Sequence, residues 1–116
     1  MFYHVYIEYF IGEGKNQKQV DCYEKNLVSL DTIRENYVNP FIEGKTIFLS
    51  GRIVRPEALI ILRILQSEKT VDQLVSDKNN SVPRGFIMIY RVEDLLKGHF
   101  DGLKDITNDV INSTGR

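Results

Sequence analysis

Residues 39–67, NPFIEGKTIFLSGRIVRPEALIILRILQS, hold the densest apolar run of the chain, its clearest hairpin signal and three arginines within twelve positions. They constrain the fold more than any other stretch. Residues 46–54 read as strand, tight turn at Ser50-Gly51 and strand again, because a Ser-Gly pair between apolar runs signals a hairpin. Pro56-Glu57-Ala58 suits one helical turn with Pro in its first position. Residues 60–66 follow as a central strand. Ile60, Leu62 and Ile64 make one unbroken apolar face, whereas Arg63 interrupts the face of Ile61 and Leu65. A buried helix over 57–65 also fits the apolar content; β-branching and Arg63 favour the strand.

Upstream, residues 2–10 alternate. Tyr3, Val5, Ile7 and Tyr9 share one side, and Phe2, His4, Tyr6, Glu8 and Phe10 the other. Gly12-Glu13-Gly14-Lys15-Asn16 is a turn cluster, and residues 17–24 alternate with Val20 and Cys22 on one side, which predicts an N-terminal hairpin. From Leu30 the period becomes helical, with Ile33, Tyr37 and Phe41 on one stripe and Ser29 or Asp31 as N-cap. Asn39 precedes Pro40, so a kink or an end is expected there, with one further turn over 41–43 before Gly44 stops it.

Downstream, Thr70 with Gln73 forms a capping-box pattern over Val71, Leu74 and Val75. Residues 86–90 read as a compact strand, Val92, Leu95 and Leu96 as a short helix ended by Gly98, and Leu103, Ile106 and Val110 as a last helix capped by Asp105 or Thr107. Residues 112–116 have the makeup of a polar tail or linker after a single domain over 1–111. The expected fold is α+β, a mostly antiparallel sheet of about five strands with short helices packed on one face.

Composition narrows the function classes. A length of 116 residues supports one core. The net charge of −1 and a pI near 6.1 leave no whole-domain basic footprint, which argues against nucleic acid as the main partner. One cysteine, Cys22, excludes an internal disulfide and fits a reducing, cytoplasmic setting. The alternating start and an apolar run of only 58–62 give neither a signal peptide nor a membrane span.

Candidate chemistry is sparse. Cys22 with His4 or His99 would be the only thiol–imidazole pairing, and the alternative is a half-buried cysteine beside a surface histidine. No metal-ligand spacing occurs. Gly12 and Gly14 sit in a hairpin, not before a helix, so they make no phosphate loop. Lys45, Arg52, Arg55 and Arg63 are the stronger lead. They would hold an anionic ligand such as a nucleotide if they lined one surface, or else guard a sheet edge. Phe2, Tyr6, Phe10 and Tyr23 make the first hairpin a candidate protein interface.

The opening strand Tyr3-His4-Val5-Tyr6-Ile7, the run Asn39-Pro40-Phe41-Ile42-Glu43-Gly44-Lys45 entering Ile47-Phe48-Leu49-Ser50-Gly51-Arg52, the strand around Arg63 and the closing Asp105-Ile106-Thr107-Asn108-Asp109 occur in this order. The order resembles an N-terminal accessory domain of prokaryotic abortive-infection, TIR-like predicted nucleotide-binding effectors of antiphage defence. The resemblance implies that catalysis belongs to a separate domain and supplies no catalytic residues. The expectation is therefore a non-catalytic interaction or regulatory module, for self-association or sensing, with no cofactor. A small-anion binding domain using the Lys/Arg cluster is the alternative.

Overall fold

A computed structural model describes residues 1–83, 85, 89–98 and 101–114. In chain order the elements begin with β1 (Phe2–Ile11) and β2 (Lys18–Leu27), followed by a helix in three pieces: α1 (Leu30–Ile33), a π-helical turn (Arg34–Val38) and α2 (Asn39–Ile42). Then come β3 (Ile47–Leu49), β4 (Arg52–Val54), β5 (Leu59–Ser67), α3 (Val71–Asn80), α4 (Val92–Lys97), β6 (Lys104–Asp105) and α5 (Thr107–Thr114). Four strands form an antiparallel sheet in the order β2-β1-β5-β6, and β3 and β4 pair as a separate hairpin. The α+β class and the mostly antiparallel sheet are as the sequence predicts.

Strand alternation sends apolar side chains to both faces of the sheet. Val5, Ile7 and Tyr9 of β1 join Leu62 and Ile64 of β5 in one cluster, closed by Ile33, Tyr37 and Val38, by the inner side of the hairpin and by Ile106 and Val110. Tyr6 and Leu65 point the other way, against Val71 of α3 and Leu95 and Leu96 of α4. Helices thus cover both faces, and the expectation of one covered face is corrected. The two central strands carry apolar residues on each side, so each side gains about 1.5–3 kcal/mol per fully buried aliphatic side chain only when something covers it.

Three local expectations are also corrected. At Asn39-Pro40, where a kink or an end and non-helical geometry at Asn39 are expected, the helix continues: Asn39 keeps helical geometry, and its N–H bonds the Arg34 carbonyl five residues back. That wider π-type turn lets Pro40, which has no N–H and would crowd a regular α-turn, sit inside a continuing helix. Residues 112–114, expected in a tail, complete α5, where Val110 and Ile111 pack on the core and Ser113 Oγ donates to the Val110 carbonyl. The strand expected at 86–90 falls mostly outside the described residues, and the described Ile89 and Tyr90 are in no strand; the fourth strand of the sheet is instead β6.

Turn chemistry follows the sequence. Ser50 (φ 50) and Gly51 (φ 75) both adopt positive φ, as a two-residue type I′ hairpin turn requires. Gly12 (φ +82) has a stricter reason, since a Cβ there would lie 2.5 Å from the Asn16 carbonyl oxygen. Ser29 and Thr70 are the N-caps of α1 and α3, accepting from the N–H groups of Thr32 and Gln73 at 3.2 Å each, and Asp105 accepts from the Thr107 N–H at 2.9 Å.

Candidate functional site

The catalytic pairing considered from the sequence does not form. Cys22 lies opposite Ile7 in the β1–β2 register and faces the first cluster. His4 is three positions from Ile7, an odd step that turns its ring to the other face. Burial raises the Cys22 thiol to about 11, so it holds its proton at neutral pH. His99 lies outside the described residues.

His4 instead meets Ser67, an arrangement that superficially suits nucleophilic catalysis. The ring is fully buried, with Nε2 2.7 Å from Ser67 Oγ and Nδ1 accepting the Asn26 backbone N–H at 3.0 Å. With Nδ1 occupied as an acceptor, the ring proton is on Nε2, which donates to Ser67. Ser67 Oγ in turn donates a hydrogen bond to the Lys69 carbonyl at 2.6 Å. A general base would need Nε2 to accept, so the directions run opposite to a catalytic pair. Burial lowers the imidazole to about 4, against a weaker upward pull from Asp72.

The chain of bonds has a structural task. Asn26 has φ 60 where the β1–β2 register shifts between Tyr3 and Val5, a bulge that Asn tolerates better than most residues. Its side chain accepts the Val71 N–H at 2.8 Å and donates to Asp72 at 2.7 Å. His4 thereby holds a bulge whose tip fastens the start of α3.

A second polar cluster is equally closed. The Tyr6 hydroxyl lies 2.7 Å from Glu8 and 3.3 Å from Asp21, Gln19 donates to Glu8 at 2.8 Å, and Lys97 to Asp21 at 2.7 Å. Burial and the bond to Glu8 hold the Tyr6 phenol above its ordinary range. Each group has a partner, which stabilises the arrangement and leaves no idle base or nucleophile. Among the described residues, no three His, Cys, Asp or Glu side chains are placed to hold a metal ion, and no helix is long and apolar enough to cross a membrane.

The four basic candidates are not gathered. Lys45 pairs with Glu43 at 2.8 Å. Arg63 belongs to the second face: its Nη1 donates to the Leu96 carbonyl at 3.2 Å and to that of Lys97, and its Nε lies 3.8 Å from Asp105. It satisfies carbonyls that the end of α4 leaves unpaired, so it carries a structural load and lines no common surface with the others. Arg52 borders a groove beside Glu8, Asp21 and Lys97. Arg55 borders another, beside Ile53, Ile11 and Glu57.

The interface candidates also divide. Tyr6 is buried, because β1 is a central strand covered on both faces, and this corrects its assignment. Tyr23 is half-buried against the second cluster and donates to Glu93 at 3.1 Å. Phe2 is half-buried. Phe10, at 38% exposure, remains available.

An exposed apolar surface that sequence reasoning missed lies on the β3–β4 hairpin. Ile47, Leu49 and Val54 point inward and are buried, whereas Phe48 and Ile53, opposite each other across the ladder, are 68% and 62% exposed. Arg55 shares the outer side with Ile53, two residues on. Ile53 and Ile11 line one groove between this hairpin and the β1–β2 tip. The signal was present in Ile47-Phe48-Leu49 and Ile53-Val54, strands apolar at successive positions and hence on both faces.

The fold and these surfaces define a small α+β domain with a doubly covered sheet and one hairpin covered on its inner side only. No family model, no curated protein and no solved structure matches the chain.

Proposed function

We propose that this chain is a non-catalytic interaction module whose recognition face is the outer side of the β3–β4 hairpin together with the tip of the β1–β2 hairpin. The observation that carries this reading is the exposed cross-strand pair Phe48 and Ile53 on a hairpin already fixed by its inner residues. An aromatic and an aliphatic side chain held on a rigid hairpin, with an arginine beside them, have the makeup of an interface core. The closed hydrogen-bond networks around His4 and Tyr6 support the non-catalytic part. In a multidomain defence effector of the kind the sequence resembles, such a module would serve assembly or sensing while another domain carries the chemistry.

The test is site-specific photo-crosslinking in cells, with benzoylphenylalanine replacing Phe48 in one variant and the exposed Asp31 in another. A defined adduct from position 48 and none from position 31 is the expected result. Equal background labelling from both positions contradicts the reading.

A further inference from the structure

Resting on that reading, we infer that the occupant of the hairpin face is a second copy of this chain, packed about a two-fold axis so that Phe48 and Ile53 of each copy meet and Arg55 of one pairs with Glu57 of the other. A two-fold contact uses the same patch twice, so it must be complementary to itself in both shape and charge. The hairpin provides this. Arg55 and Glu57 border the same groove, both are exposed, and neither forms an ion pair within its own chain among the described residues. Each therefore has its charge free for its opposite on a mate, with the apolar pair between them. A net charge of −1 adds little repulsion between copies.

Area sets the strength. Phe48, Ile53, Ile11 and Phe10 expose on the order of 400 Å² of apolar surface, short of the roughly 800 Å² per partner of a stable interface. The dimer is accordingly weak, and its assembly responds to local concentration. That property suits a domain that is tethered to, or crowded with, other copies of itself.

The experiment is analytical ultracentrifugation of the whole chain from about 10 μM to about 1 mM. The wild-type average mass should climb from 13.5 kDa toward twice that value. The double variant Phe48→Ser/Ile53→Ser should stay monomeric, with its fold checked by its thermal melt. Arg55→Glu and Glu57→Arg should each weaken association about tenfold by setting like charges against each other, and combining them should restore it. A wild type monomeric throughout, a dimer indifferent to the Phe48→Ser/Ile53→Ser change, or a charge swap without restoration would each overturn the inference. The broader reading fails separately: a monomer that still crosslinks from position 48 to a different protein refutes the dimer and leaves the interaction module standing.

Discussion

The central strands and the β3–β4 hairpin have the same kind of sequence and different surroundings. In β1 and β5, apolar residues point to both faces, and both faces are covered, one by the three-piece helix, α5 and the hairpin, the other by α3 and α4. In the hairpin the residues also alternate between two apolar sides, but only Ile47, Leu49 and Val54 are covered. Apolar residues on both sides of a strand call for cover on both sides. The sheet obtains it from its own chain, whereas Phe48 and Ile53 on the hairpin's outer face stay exposed.

The comparison can be broken first at its strongest point. Ile64 is fully buried in the first cluster, so Ile64→Ala should cost about 3–4 kcal/mol in denaturant unfolding. Phe48→Ala should change the stability of the dilute monomer by less than about 0.5 kcal/mol. Comparable losses at the two positions would mean that the outer face is already part of the core.

A smaller effect concerns the polar tie between β1 and α3. His4 titrates at about 4 in the fold against 6.5 when unperturbed, so the folded state favours the neutral ring. Its contribution is complete above pH 6.5 and is lost as pH falls toward 4, on the order of 2 kcal/mol. Protonation also takes from the Asn26 N–H its acceptor at Nδ1. Unfolding curves at pH 7, 5.5 and 4 should show wild type losing this increment relative to His4→Gln, and parallel pH dependence of the two proteins would contradict it.

The arginines sharpen the contrast at the lowest magnitude. Arg63→Ala should destabilise by about 1–2 kcal/mol, because the final carbonyls of α4 lose a charged donor. Arg55→Ala should be neutral for folding within about 0.5 kcal/mol and act only on association. Thermal melts of the two variants side by side decide the matter.

Much of this fold was legible, for identifiable reasons. Ser50-Gly51 between apolar runs marks its hairpin because only a few residue pairs accept positive φ twice. The alternation of residues 2–10 marks β1, and Ser29 and Thr70 mark helix starts through their side-chain oxygens. Other features depend on distant partners. Tyr6 looks like a surface aromatic until α4 covers it, because His4 and Glu8 on the same side of β1 make that side read as polar. Arg52 and Arg63 are close in sequence, yet Arg52 borders a groove beside Glu8, Asp21 and Lys97 while Arg63 is spent on the carbonyls at the end of α4. The π-turn before Pro40 and the β6 pairing were hidden because a local breaker rule and a two-residue strand say little without the tertiary frame.

The central claim is that the outer hairpin face is occupied when the protein works. Carbene footprinting compares the protein at its working concentration in cell extract with the dilute purified chain. Phe48 and Ile53 should be protected several-fold in the extract, while Phe41 and Ile42, exposed at 36% and 43% on α2, label equally in both. Unchanged labelling of Phe48 and Ile53, or protection of all four alike, would contradict it.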